Sequence, residues 1–330
     1  MLACETPATK LGQGDAQPAQ RTTLLIKLLI LAVILVLAFG GGAKVAKLSG
    51  PKSLNFADRL LGGADDVQML ADGQPYGRGP RQQLDIWAPV GVSGPLPVVI
   101  FFYGGGWSSG ERAEYGFVAR ALARQGFLTV VPDVRLAPKA HWPDFIEDGA
   151  AAFAWVRRHI ESYGGDAGRI ALMGHSAGAY NAAMLALDPQ WLRRAGSDAA
   201  YVRGVAGLAG PYDFLPMEKG GSADIAMGRI RPASNTQPIG FVRPDAPPFW
   251  LASGLDDDVV RPRNSRALAD ALTNIGAPAI FAGFANMGHR AIVMALAQPF
   301  RGDGRVLHDA AEFLHAVTAP QPDNENGRTG

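Results

Sequence analysis

What most constrains this chain is an alternation that begins near Asp65. Short apolar runs there take turns with stretches of helical periodicity. Leu96 to Phe102 is largely apolar, with β-branched residues at Val98 to Ile100, as a strand buried on both faces requires. Gln83 to Trp87, Phe127 to Val131, Arg169 to Met173, Val202 to Leu208, Phe249 to Ser253 and Ala279 to Ala282 are further strands. Helices fall on Glu114 to Gln125, Phe145 to Tyr163, Gly178 to Leu187, Arg263 to Ile275 and Val306 to Val317; Gly164-Gly165 stops the second of these. The expected fold class is therefore α/β, a mostly parallel central sheet with helices on both faces. Pro211 to Pro248 lacks a clear period and is expected to be a lid or pocket loop.

Upstream the pattern differs. Residues 1–22 are polar and rich in Gln, Ala, Thr and Pro, the composition of a flexible tail. Leu24 to Phe39 is apolar apart from Lys27. The block 23–43 has the length of a transmembrane anchor, with Lys27 reaching toward the interface. It also has the parts of a cleaved signal peptide: Arg21 and Lys27, the apolar Leu28 to Phe39, then the small residues Gly41-Gly42-Ala43. A buried core helix is the third reading, but no polar face is present to meet water. The first reading implies a single-pass membrane protein, the second a secreted or periplasmic one. Lys44, Lys47, Lys52 and Arg59 after the span, against Lys10, Arg21 and Lys27 on or before its start, slightly favour a cytoplasmic domain; a signal-anchor arrangement would export it. Residues 44–64 are expected to be a linker, 65–319 the α/β domain and 320–330 a second tail.

Composition excludes some partners. Lys and Arg total 31 against 30 Asp and Glu, without a basic run, so the footprint that binds nucleic acid is missing. The single cysteine, Cys4, can form no intramolecular disulfide and has no metal-ligand spacing around it.

The chemistry-bearing residues begin with Gly174-His175-Ser176-Ala177-Gly178. This G-x-S-x-G pattern follows the Arg169 to Met173 strand and opens a helix. It suits a sharp turn that holds the Ser176 hydroxyl exposed on a strained backbone, at a helix N-terminus that favours negative charge. Tyr103-Gly104-Gly105-Gly106-Trp107 follows the Leu96 to Phe102 strand. A glycine run there can turn backbone N–H groups toward one point, as the oxyanion of a tetrahedral intermediate needs. A phosphate-binding turn is the weaker reading, since no Gly-Lys-Ser/Thr follows.

A serine nucleophile needs a base, and the base an orienting acid. Three histidines follow Ser176. His308 and His315 lie within the final helix and suit packing or surface roles. His289 stands in a loop after the last strand, at the sheet edge where α/β folds bind ligands. The acid belongs in an earlier loop at that edge, and Asp256-Asp257-Asp258 after the Phe249 to Ser253 strand supplies three candidates, with Asp213 as the alternative.

Taken together, these residues resemble the α/β-hydrolase superfamily, in particular the small esterases that include hormone-sensitive-lipase-like enzymes and feruloyl-esterase-like (BD-FAE) domains. The resemblance runs from about Gly77 to Phe313. It is carried by Leu84-Asp85-Ile86-Trp87-Ala88-Pro89, Tyr103 to Trp107, Pro132 to Pro138, Gly165-Asp166, the serine turn, Gly254 to Val260 and Gly288-His289. It implies Ser176 as nucleophile and His289 as base. The family's G-x-x-D-x-x-V spacing falls on Gly254, Asp257 and Val260, which implies Asp257 as the acid. The oxyanion donors implied are the N–H groups of Gly105, Gly106 and Ala177, and Asp133 and Arg135 match a segment of structural use. Two departures stand out. Tyr103 occupies the position where the family usually has His. The helical cap of the lipase-like group has no counterpart, which makes the cap-poor feruloyl-esterase-like group the nearer relation.

The activity so implied is hydrolysis of small-molecule carboxylic esters through an acyl-enzyme, with no metal or organic cofactor required. Two alternatives remain at this level. Arylformamidases and other amidases share the architecture, and an idle α/β domain tethered to a membrane as a binding module would show a degraded triad.

Overall fold

The computed structural model describes residues 50–62, 65–92 and 94–320. The expected span at 23–43, the tail 1–22 and all but Pro320 of the C-terminal tail lie outside them. Among the described residues no helix is long and apolar enough to cross a membrane. The chain divides into two compact units, Met1–Ser53 and Leu54–Gly330; the packing below concerns the second.

In chain order the elements are α1 (Gly50–Gly62), β1 (Val67–Pro75), β2 (Gln83–Pro89), β3 (Leu96–Phe102), α2 (Gly116–Arg124), β4 (Leu128–Pro132), α3 (Asp144–His159), β5 (Gly165–His175), α4 (Ala177–Leu187), α5 (Gln190–Arg194), β6 (Val202–Leu208), α6 (Ser222–Met227), β7 (Phe249–Gly254), α7 (Arg263–Asn274), β8 (Ala279–Phe284), α8 (Ala291–Met294) and α9 (Arg305–Val317). The eight strands form one sheet in the order β1-β2-β4-β3-β5-β6-β7-β8. β1 and β2 pair antiparallel, as do β2 and β4. From β4 to β8 every pairing is parallel.

Side chains of β3 alternate between two cores. Val98, Ile100 and Phe102 face one, with α3, α4 and α7. Val99 and Phe101 face the other, with α2, α9 and Leu54 of α1. Both faces are thus covered, as a parallel sheet requires. All eleven residues of α4 are buried, so this helix is small and apolar all round rather than striped.

The short helices α5 and α8 were not expected, β5 begins four residues earlier than expected, and two further stretches differ. Residues 44–64, expected as a linker, contain α1. Leu54 and Ala57 of α1 are buried, and Asp58 Oδ2 accepts from Arg120 Nη2 at 2.7 Å and Nε at 2.9 Å on α2. Asp58 Oδ1 also accepts from the N–H of Gln298 at 2.8 Å. A short apolar stripe plus one buried ion pair holds this helix, a weaker pattern than a long amphipathic repeat. β1 was not expected at all. Its register against β2 slips twice, at Met69/Ala71 and at Ala71/Gln74, and this irregularity breaks the period-two signal. The Pro211 to Pro248 stretch holds α6 and two single-turn 3-10 segments. Met227 is buried there, while Ile225 is exposed.

Candidate active site

Three parallel strands, β5, β7 and β8, with β6 between the first two, end at one edge, and the turns that follow them carry Ser176, Asp257 and His289. β5 ends at His175, and Ser176 makes the turn into α4. The backbone of Ser176 is left-handed, at φ 54° and ψ −123°, a strained conformation for a residue with a side chain. Its N–H donates to the carbonyl of Leu208 on β6 at 2.9 Å. The close approach of the turn explains Gly178: a Cβ there would stand 2.0 Å from the carbonyl oxygen of Phe102.

β7 leads into Asp257 and β8 into His289. The two loops are joined by backbone hydrogen bonds, from Leu255 N–H to Phe284 O at 2.8 Å and from Asp256 N–H to Met287 O at 3.0 Å. His289 Nε2 lies 2.9 Å from Ser176 Oγ, and His289 Nδ1 lies 2.8 Å from Asp257 Oδ2. The other carboxylate oxygen of Asp257 accepts from the N–H groups of Val259 at 3.0 Å and Val260 at 2.8 Å. Asp257 has a fully buried side chain, whereas Asp256 and Asp258 are exposed. The structure thus brings together Ser176, His289 and the middle aspartate.

The other candidates lie elsewhere. Asp213 faces Arg263, with 3.5 Å between Oδ2 and Nη1. His308 is exposed on α9, 4.0 Å from Glu312. His315 stacks on Phe127 and contacts the Gln125 carbonyl at 2.8 Å. Among the described residues no group of three or more His, Cys, Asp or Glu side chains is spaced to hold a metal ion.

The glycine run lies against the serine turn. Gly105, Gly106 and Trp107 are three successive left-handed residues, at φ 132°, 58° and 57°. A Cβ on Gly105 would stand 2.2 Å from the carbonyl oxygen of Ser109, and one on Gly106 2.9 Å from Ser222 Cβ. No hydrogen bond among the described residues uses the N–H of Gly105 or Gly106. Ala177 is the first residue of α4, so its N–H has no intrahelical acceptor either. Trp107 anchors the end of the run: its indole Nε1 donates to Asn181 Oδ1 at 3.3 Å, and its ring meets Tyr180 edge-on.

Beneath this loop lies a network that joins Tyr103 to Asp133, the latter expected to have a structural use, and that adds Arg81 and Arg112, which the sequence did not suggest. The Tyr103 hydroxyl donates to Asp133 Oδ1 at 2.5 Å and accepts from Arg81 Nη2 at 2.8 Å. Asp133 also accepts from the N–H of Arg112 at 2.8 Å and from Arg112 Nη1 at 3.1 Å. Arg81 continues to the carbonyls of Gly110 and Val134, both at 2.8 Å. Burial and the Asp133 carboxylate push the Tyr103 phenol well above its ordinary range, so it remains a donor. Arg135 holds Asp148 at 2.9 Å and Asp144 at 3.0 Å, away from Ser176.

Residues 84–272, more than half of the chain, match the BD-FAE family. The chain belongs to the BD-FAE family. Esterase LipC of Mycobacterium tuberculosis is 34% identical to this BD-FAE chain over 216 residues, 60% of the chain and 53% of LipC. The probable carboxylic ester hydrolase LipM of the same organism is 31% identical over 268 residues, 74% of the chain and 60% of LipM. The chain therefore spans between about half and three fifths of the length of these relatives. Among solved structures, a truncated carbohydrate esterase from gut microbiota superposes with a TM-score of 0.69 at 20% identity, covering 78% of this chain and 98% of that one. At that identity the likeness shows a shared fold.

Proposed function

We propose that this chain hydrolyses carboxylic esters through a Ser176-His289-Asp257 triad and an acyl-enzyme intermediate. The observation that carries the reading is the unbroken line from Ser176 Oγ to His289 to buried Asp257, at 2.9 and 2.8 Å, beside an N–H-rich loop. The esterase names of the relatives agree with it.

An ionised carboxylate only accepts, so Asp257 takes the Nδ1–H of His289 and leaves Nε2 as the acceptor for the Ser176 hydroxyl. As Ser176 Oγ bonds to the ester carbonyl carbon, its proton passes to Nε2. The carbonyl electron pair moves onto oxygen, where the N–H groups of Gly105, Gly106 and Ala177 receive it. The positive end of α4 adds to that stabilisation. The C–O bond to the alcohol then breaks, and the His289 proton leaves with it. Water repeats the sequence on the acyl-enzyme, with His289 again as base.

The decisive variant is Ser176→Ala. It is expected to abolish ester turnover and labelling by a fluorophosphonate; labelling that persists overturns the nucleophile. A panel of short acyl esters beside an aryl formamide separates esterase from amidase, and the ester arm is expected to turn over faster. The Leu24 to Phe39 segment supports a single-pass membrane attachment. Fractionation with carbonate wash is expected to leave the full chain in the pellet. A soluble chain whose new N-terminus follows Ala43 overturns the anchor in favour of a cleaved signal.

A further inference from the structure

His175, the residue before Ser176, is 5% exposed and forms no part of the mechanism above. Its Nε2 lies 2.9 Å from the backbone carbonyl oxygen of His289. A carbonyl only accepts, so Nε2 carries the hydrogen and donates it. In the neutral ring Nδ1 is then a bare lone pair, and that atom is buried without a hydrogen-bond partner. It faces the glycine run: a Cβ on Gly104 would stand 2.7 Å from His175 Nδ1 and 3.1 Å from Ser176 Cβ. The ring also lies 4.9 Å from the His289 imidazole, centroid to centroid. One side chain thus touches the backbone of the base and the start of the oxyanion loop, while its own backbone adjoins the nucleophile.

We propose that His175 is a positioning residue, whose neutral imidazole fixes the His289 backbone through Nε2–H and seats Gly104 against its opposite edge. The proposal rests on the triad reading of Ser176, His289 and Asp257. A buried lone pair with no donor is costly to keep. An apolar side chain of similar size would avoid that cost, and the one thing it would lack is the hydrogen bond to His289. Burial, with the neighbouring His289 adding to it, pushes the His175 ring down to about 3. It therefore stays uncharged beside His289 and Asp257 while His289 exchanges protons.

A misplaced imidazole lowers transition-state stabilisation more than ground-state binding, since small displacements of a reacting group cost on the order of a hundredfold. In the full chain, His175→Leu is expected to lower kcat by about 10- to 100-fold with KM within about threefold. It is also expected to move the acid limb of the kcat/KM profile downward, because the hydrogen bond between His289 and Asp257 loosens. His175→Gln keeps an N–H donor and is expected to recover most of the rate. Wild-type kcat in His175→Leu, or equal losses in His175→Leu and His175→Gln, overturns the proposal while fluorophosphonate labelling of Ser176 still upholds the triad. Absence of turnover and labelling in the wild type removes both.

Long-range 1H–15N correlation spectra of the unaltered protein test the ring without any variant. The expected result is the Nε2–H tautomer of His175 throughout pH 5 to 9. A protonated Nδ1, or titration within that range, overturns the assignment.

Discussion

Asp257 and His289 meet at 2.8 Å through Oδ2 and Nδ1, while the aspartates on either side of Asp257 face solvent. Burial and two backbone N–H donors hold the Asp257 carboxylate in a single orientation. Asp257→Asn keeps that shape but places an amide where an acceptor is needed, which favours the wrong tautomer of His289. The expected loss in kcat is about 10³- to 10⁴-fold. Asp256→Asn and Asp258→Asn are expected to stay within about threefold of wild type. Steady-state kinetics of the three variants on one short ester checks the ranking, and a reversed order moves the acid.

Tyr103 bears on the glycine run from below. Tyr103→Phe removes the hydroxyl that bridges Arg81 and Asp133. Asp133 keeps its two bonds to Arg112, so the expected stability loss is moderate, about 1–2 kcal/mol. Because Gly104 to Gly106 follow directly, kcat is expected to fall with little change in KM. Urea denaturation and turnover of the same preparation measure both effects.

Asp58 and Arg120 form a buried ion pair between α1 and α2, with both side chains at or below 4% exposure. Asp58→Ala leaves the Arg120 guanidinium buried with only the Asn55 oxygens. Breaking one side of such a pair typically costs about 3–5 kcal/mol. A chain begun at Asp65 loses the same contact together with Leu54 and Ala57, and is expected to be at least as unstable. Chemical denaturation of both proteins tests this; a chain begun at Asp65 with unchanged stability would falsify an integral role for α1.

Acid should weaken the fold through His175. Its ring sits at about 3 when folded against an ordinary 6.5. Below pH 6.5 the unfolded chain therefore binds a proton that the folded chain refuses, and stability falls as pH falls. The group's contribution is fully present above 6.5 and is lost progressively down to about 3, at about 1.4 kcal/mol per pH unit within that window. His175→Gln removes the titration. The stability difference between wild type and variant is expected to shift in the variant's favour between pH 7 and pH 5, as read from urea midpoints.

Much of this was legible in the sequence, for identifiable reasons. β3 and β6 are buried on both faces, and their apolar runs mark both ends: Leu96 to Phe102 and Val202 to Leu208 match the strands residue for residue. Ser176 and His289 were legible because the serine sits at the centre of a G-x-S-x-G strand-turn-helix, and His289 is the one histidine after it that stands in a post-strand loop rather than in the final helix. Asp257 came from the resemblance to the family's G-x-x-D-x-x-V pattern, and burial is what distinguishes it from its neighbours. β1 stayed hidden because its two register slips erase alternation. α1 stayed hidden because much of its hold is one ion pair made with a residue 62 positions away. His175 had no signal at all: its significance lies in a contact across 114 residues, and a variable position within a motif gives no hint of what the ring will touch.

The bond between Ser176 and His289 spans 113 residues of chain, and β6 and β7 must be in place for it to form. A fragment ending before β8 contains Ser176 without His289, and a partly folded chain holds the two far apart. Under the proposed triad, a probe that reacts only with the activated serine counts molecules with a completed sheet. The rate at which labelling returns after dilution from denaturant becomes a clock for the slowest long-range pairing in the fold.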